Sequence, residues 1–341
     1  MRIALVGAGS MGTVIGALLT RGGEDIVLVD VNEAHVRAMN EKGARVTGHM
    51  QLTVPVRAIT PAEMQGIYDL VIYVVKTTYD DVALPEILPY IGEESAVITL
   101  QNGVPEDRVA AVVGRERTLG GAIGWGATLL EPGVSELTSE TEAMTYDIGE
   151  LDGTVTERLQ AIKAILEKAG KPEITTNLAG IRWTKLMANV SFSGVGAALN
   201  CTYGEILDNE KALVAATSII VETIKTARAL GITMEPMQGV DPGILLDIIR
   251  ESEENALNVI RMVWGRHRDL VASMLQDLRK GLPCEVETLN GYLSARSAEV
   301  GVPTPVNDRV TDIIRGIQEG RYPLSFENLD MIEVRPLQEI I

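Results

Sequence analysis

The chain has 341 residues, too many for one ordinary core, so two domains are expected. A formal charge of −17 sets it against nucleic acid, whose phosphates need a basic footprint. Nearly half the residues are hydrophobic, yet no apolar run approaches the ~20 residues of a membrane span. Arg2-Ile3-Ala4-Leu5-Val6 reads as a buried strand, starting so early that no targeting segment is expected before it. Gly7-Ala8-Gly9-Ser10-Met11-Gly12 follows, then a helical stretch from Thr13 to Leu19 and a second strand, Ile26 to Val29, closed by Asp30. This strand–turn–helix–strand order is what a dinucleotide requires. Gly7 permits the tight turn, Gly9 admits the pyrophosphate, and Gly12 lets helix and strand pack closely. The helix N-terminus offers N–H groups to the phosphates, and the Asp30 carboxylate can accept hydrogen bonds from the adenosine ribose.

Strand and helix signals keep alternating, as a doubly wound α/β sheet demands. Asn32 to Asn40 looks helical, with Asn32 as its cap. Asp69 to Val75 is a β-prone run ending at Lys76, and Ala96 to Leu100 is another, ending at Gln101-Asn102-Gly103. Pro105 opens a helix through Val113. Residues 118 to 150 look strand-rich, with turns at Glu131-Pro132-Gly133 and at Gly149, followed by a helix from Val155 to Ala169 and a short strand near Ile174. Ligands of such sheets sit at the carboxyl ends of strands, which puts Gly7–Gly12, Asp30, Lys76 and Asn102 along one crevice. Taken singly, Lys76 also reads as a solvated loop lysine and Asn102 as a turn residue.

Near Asn177 the pattern turns to helix after helix, which places a boundary between residues 1–177 and 178–341. Helices are expected from Leu213 to Ala227 with a stop at Gly231, from Thr288 to Glu299, and finally from Asn307 to Gln318. An irregular tail from Tyr322 carries Leu324, Phe326, Leu329, Met331 and Ile332, and must pack on its own domain or on a second copy in a homodimer. The apolar segment Ile181 to Leu199 reads as a buried central helix. Within it Lys185, Asn189 and Ser193 recur every four residues, so at ~100° per residue they share one face, drifting ~40° per step. A lysine on a buried helix is costly unless paired or functional, and partial burial suits it to act as a general acid. The competing reading is a helix-end lysine whose stem packs while its ammonium reaches water. Cys201 and Cys284, the only cysteines, argue for a reducing, cytoplasmic compartment and read as apolar fillers. The three histidines show no ligand spacing, so no metal is expected.

Taken in order and spacing, these residues resemble the ketopantoate reductase (2-dehydropantoate 2-reductase) family of the wider 6-phosphogluconate-dehydrogenase-like group. The resemblance covers nearly the whole chain. It rests on Gly7–Gly12, Lys76, Gln101-Asn102-Gly103, Trp183-x-Lys185-x3-Asn189, and Ser273-Met-Leu-Gln-Asp277 followed by Glu285. It implies a Rossmann-type domain followed by an all-α substrate and dimerisation domain, hydride transfer from a nicotinamide cofactor to a 2-oxo acid, and a place in pantothenate biosynthesis. It further implies that Lys185 is the proton donor and that Glu285 holds the lysine ammonium or the product hydroxyl. Asn189 would bind the substrate and Ser273 its carboxylate end. Asn102 would stand at the nicotinamide–substrate junction, Lys76 along the cofactor cleft, and Ala127 at a further cofactor contact. Apart from the resemblance, Ser273 reads as an ordinary helix serine and Glu285 as a helix N-terminal carboxylate.

Three departures stand out. Best-known members carry a basic residue after the second strand to grip the NADPH 2′-phosphate; here the residues are Asp30-Val31-Asn32. A carboxylate repels a phosphate and suits a ribose diol, so NAD(H) is expected to be preferred over NADP(H). Ser193 replaces a pocket asparagine, and a second pocket asparagine is replaced near Tyr203. Both changes reshape the substrate end, pointing to ketopantoate or a bulkier relative among branched 2-oxo acids. Two alternatives remain: a 3-hydroxy acid dehydrogenase of the same superfamily, which also uses a helical Lys-x3-Asn pair, and a non-catalytic dinucleotide sensor.

Overall fold

The apolar runs of the first half lie side by side as strands. The computed structural model describes residues 1–341, whose internal contacts divide into Met1–Leu178 and Ala179–Ile341. The first unit contains strands β1 (Arg2–Val6), β2 (Asp25–Val29), β3 (Ala44–Gly48), β4 (Leu52–Val54), β5 (Ala58–Ile59), β6 (Tyr68–Tyr73), β7 (Ile91–Thr99), β8 (Thr118–Ile123), β9 (Ala127–Glu131), β10 (Val134–Leu137), β11 (Thr145–Glu150) and β12 (Lys171–Ile174). Its helices are α1 (Ser10–Arg21), α2 (Glu33–Lys42), α3 (Asp80–Ile87), α4 (Glu106–Val113) and α5 (Glu157–Leu166).

Eight strands form one sheet in the order β12-β11-β8-β7-β6-β1-β2-β5. Neighbours run parallel except β8 and β11. The chain leaves β1 on one side for β2 and β5, then returns to β6 on the other. The topological switch therefore falls between β1 and β6, where doubly wound sheets bind ligands. Alternate β1 residues serve opposite cores. Ile3 and Leu5 pack with Val14, Ile15 and Leu18 of α1 and Leu159 of α5, whereas Ala4 and Val6 pack with Leu84 of α3 and Val109 of α4. Helices thus cover both faces, which is why these strands are apolar on both sides.

Some local expectations are corrected. Gly149 lies inside β11 and makes no turn; a Cβ there would stand 2.8 Å from the Thr175 carbonyl oxygen, so the glycine serves close backbone approach. The run expected to reach Val75 leaves the sheet at Tyr73, and the first helix begins within the glycine motif, at Ser10. A separate four-stranded sheet, β4-β3-β10-β9, contains the hairpin expected around Glu131-Pro132-Gly133, but its strands β3 and β4 have no counterpart in the sequence expectations.

The second unit is helical: α6 (Leu178–Ala188), α7 (Gly194–Leu199), α8 (Tyr203–Asp208), α9 (Glu210–Ala229), α10 (Pro242–Glu251), α11 (Glu253–Trp264), α12 (Ser273–Arg279), α13 (Asn290–Glu299), α14 (Pro305–Gln318) and α15 (Leu337–Ile340). Helix α9 is buried almost all round, and its Thr217, Ser218, Thr223 and Thr226 hydroxyls each bond the carbonyl four residues back, which leaves no buried hydroxyl unsatisfied. The chain does not end its helices at Gln318, as expected; a 3₁₀ segment, Phe326–Met331, and α15 follow. The tail packs on its own unit. Asn328 donates to the Ala198 carbonyl, Arg309 to that of Met331, and Lys225 to that of Ile340, while Ile332 and Leu337 are fully buried. No helix is long and apolar enough to cross a membrane.

Glu222 of α9 caps α14 from across the core. Pro305 occupies the first turn, where a missing N–H costs nothing, and the next two N–H groups, of Val306 and Asn307, donate to the two carboxylate oxygens at 2.9 Å each. Burial nevertheless pushes this carboxyl up to about 8. The folded chain then keeps a proton that the unfolded chain loses above 4.5, so this group makes stability fall as pH climbs from there towards 8. Glu222→Gln, unable to ionise, is expected to flatten that part of the Tm–pH profile. An identical slope in the variant would show that Glu222 does not titrate in this window.

Candidate functional site

The glycine loop follows β1 at the switch point. Gly7 has φ +93°, and a Cβ on it would lie 2.6 Å from the Val75 backbone nitrogen. A Cβ on Gly12 would collide with the Gly7 carbonyl oxygen and come within 2.8 Å of Leu5 Cδ2. Gly9, in contrast, faces open space, and α1 begins there with no side-chain cap and no acidic residue in its first turn. Its exposed N–H groups and positive dipole end suit a pyrophosphate. Ala8 is buried, while Ser10 and Met11 are half-buried at the start of the helix. Asp30 stands just past β2, half-buried, with one carboxylate oxygen accepting from the Asn32 N–H at 2.9 Å. Its second oxygen has no such bond to Asn32. These residues fit a dinucleotide.

Lys76 follows β6 and is exposed; Asn102 follows β7 and is half-buried. Both loops leave the same edge of the parallel sheet as Gly7 and Asp30. They are braced by a buried network that sequence reasoning missed. Gln101 donates to the Val75 carbonyl at 2.8 Å and to Asp80 at 2.7 Å, and the Tyr73 hydroxyl donates to the same Asp80 oxygen at 3.0 Å. Burial and the neighbouring carboxylate both push the Tyr73 phenol upward, so it remains a donor. The signal available beforehand was Gln101 beside Asn102, a polar residue at the end of an apolar strand. Ala127 opens β9 of the small sheet opposite Leu137, and β9 packs against α1.

In the second unit the helix bearing Lys185 is interrupted. Asn189–Ser193 forms a π-helical turn, in which the Gly194 N–H reaches back five residues to Asn189. The expected common face holds for Lys185 and Asn189, which are separated by α-helix. It is corrected for Ser193: a wider turn intervenes, and the Ser193 hydroxyl instead pairs with the Tyr203 hydroxyl at 2.7 Å in the core. Asn290 supports the widened turn by donating to the Val190 carbonyl at 2.9 Å. Lys185 and Asn189 are half-buried, but the Asn189 Nδ2 is itself buried and has no hydrogen-bond partner in the chain. A buried, unsatisfied amide calls for an explanation, and a ligand that accepts from it is one.

Glu285 is 5% exposed and precedes α13, while Ser273 is exposed as the first residue of α12. Phe192, Tyr203 and Trp264 form an aromatic group beside Ser193, with Phe192 and Trp264 stacked at 4.4 Å. The two thiols are buried and pushed up, Cys201 to about 12 and Cys284 to about 11, which suits packing and not nucleophilic attack.

Comparison with known proteins adds the following. A family model described as Ketopantoate reductase PanE/ApbA matches residues 3–153, and the model of its C-terminal part matches residues 177–318. The 2-dehydropantoate 2-reductase of Pyrococcus horikoshii is 29% identical over 312 residues, covering 90% of this chain and 94% of that relative. The 2-dehydropantoate 2-reductase structure from Geobacter metallireducens matches with a TM-score of 0.80 at 27% identity, over 92% of this chain and 99% of that one. D-mandelate dehydrogenase, solved with NADH and anilino(oxo)acetate, matches in fold with a TM-score of 0.79 at 22% identity, over 94% and 99% of the two chains.

Proposed function

Since the chain belongs to the ketopantoate reductase PanE/ApbA family, and so is a nicotinamide-dependent oxidoreductase acting on a 2-oxo acid, we propose that it reduces ketopantoate or a related branched 2-oxo acid with Lys185 as general acid. The observation that carries this reading is the orphaned, buried amide nitrogen of Asn189, one helical turn beyond Lys185. The bound cofactor supplies the hydride. Lys185 delivers a proton to the ketone oxygen, and its ammonium stabilises the negative charge that builds there. Asn189 donates to the substrate, and Ser273 to its carboxylate end. Glu285 orients the lysine ammonium or the product hydroxyl, a role that makes its burial tolerable because a cation offsets it. Residues 1–177 bind the dinucleotide at Gly7–Gly12, Asp30, Lys76, Asn102 and Ala127, and residues 178–341 bind the substrate. NADH is preferred because Asp30 favours a ribose diol, and the same fold holds NADH in D-mandelate dehydrogenase. The activity would serve pantothenate biosynthesis in the cytoplasm. A homodimer is proposed on the apolar helical unit alone, since the tail is engaged internally; light scattering on the intact chain tests it.

A second reading, a bulkier 2-oxo acid, is favoured by one observation. Ser193, where a pocket asparagine is expected to be replaced, and Tyr203, near which the second replacement is expected, bond each other beside Phe192 and Trp264. The deciding experiment is NADH oxidation by the purified chain with ketopantoate, then with branched and aryl 2-oxo acids, set beside NAD+ reduction with 3-hydroxy acids. Saturable turnover with ketopantoate is expected. Turnover confined to 3-hydroxy acids would overturn the proposal, and a large preference for aryl 2-oxo acids would select the second reading.

A further inference from the structure

His35 plays no part in the chemistry above, yet it is among the most completely bonded side chains of the first unit. It lies in the first turn of α2, 1% exposed. Its Nδ1 accepts the Gly133 N–H at 2.9 Å, which requires that nitrogen to be unprotonated. The ring proton therefore sits on Nε2, 2.7 Å from the Ala8 carbonyl oxygen, in the centre of the glycine loop. Thr13 donates its hydroxyl to the same oxygen at 2.8 Å. Two donors thus pull the Ala8 carbonyl into the protein. A trans peptide is planar, with its C=O and N–H pointing in opposite directions. Drawing the Ala8 carbonyl inward turns the N–H of the Ala8–Gly9 peptide outward, at the residue that faces open space.

We propose that His35 is a positioning residue for the cofactor: as a neutral Nε2–H tautomer it fixes the Ala8–Gly9 peptide so that the Gly9 N–H is presented to the pyrophosphate. The role rests on the dinucleotide reading of the glycine loop. It also explains what the small sheet contributes. The Gly133 turn between β9 and β10 holds the imidazole, and Ser135 of β10 donates to the Ser10 carbonyl at 2.8 Å, so that sheet braces the loop at two successive points. An amide oriented before the ligand arrives spares binding the cost of ordering it.

The test is fluorescence titration of the full chain with NADH, alongside steady-state kinetics and thermal melts. In His35→Phe both hydrogen bonds are lost at similar volume, and NADH affinity is expected to fall about tenfold, the scale of one to two lost hydrogen bonds. KM for NADH rises in parallel, while kcat and the 2-oxo acid KM at saturating NADH stay unchanged. His35→Gln, which keeps an N–H donor and a carbonyl acceptor, restores much of the affinity. Thr13→Val, a gentler change that removes the other donor, weakens NADH binding in the same direction. Phe and Val variants that bind NADH like the parent would overturn the proposal, as would a loss that Gln fails to rescue and that tracks Tm alone. If the parent chain itself binds no NADH, the dinucleotide reading fails instead.

Discussion

Lys185→Ala is expected to lower kcat by roughly the 10²–10⁴ typical of removing a general acid, with the NADH dissociation constant unchanged. The two readouts separate because the residues proposed to hold the dinucleotide belong to the first unit, whereas Lys185 belongs to α6 of the second. The lysine does two things for a ketone that receives a hydride. It stabilises the developing alkoxide, and it supplies the proton that makes the product neutral at that oxygen. Water can replace the proton but not the positioned charge, which is why the loss should be large. A variant that retained parental kcat would refute the mechanism, and one that lost NADH binding as well would show damage to the fold.

The second large effect concerns cofactor choice. The parent is expected to favour NADH over NADPH in kcat/KM, and Asp30→Ala is expected to narrow or invert that preference by about tenfold or more. Two like charges about 4 Å apart repel by about 4 kcal/mol at an effective dielectric near 20. Asp30 is half-buried, so solvent screening reduces this to a fraction. The variant also loses hydrogen bonds to the ribose diol, so NADH weakens while NADPH improves. No cationic side chain stands among Val31, Asn32, Glu33 and Ala34 to reward the phosphate. A parental preference for NADPH would refute the role assigned to Asp30.

The dinucleotide half of the site was legible because its constraints are local. A strand, a φ-positive glycine, a helix start and a second strand all lie within residues 2 to 30, and each step permits few residue types. The Asn32 cap was equally plain, since its side chain accepts from the N–H three residues on. Gly149 misled for the converse reason. The residue type marks either a turn or a close approach, and only the neighbouring Thr175 carbonyl decides between them. Ser193 misled because a four-residue spacing presumes uninterrupted α-helical bonding. The π turn depends on Gly194 bonding back to Asn189 and is supported by Asn290, a hundred residues away in the chain.

By itself, then, the sequence determined the class of fold, the order of its two parts and the strand, glycine turn and helix that open the chain, while the roles proposed for Lys185 and Asn189 were drawn from the family resemblance. The first three follow from short-range sterics and from periodicity, which neighbouring residues specify among themselves. The tertiary structure decided the small sheet, the phase of the helix beyond Asn189, the burial of the tail and the tautomer of His35. Each depends on partners brought together from afar, as Gly133 is brought to His35 across 98 positions, and a hydrogen bond of that range leaves no pattern in local sequence.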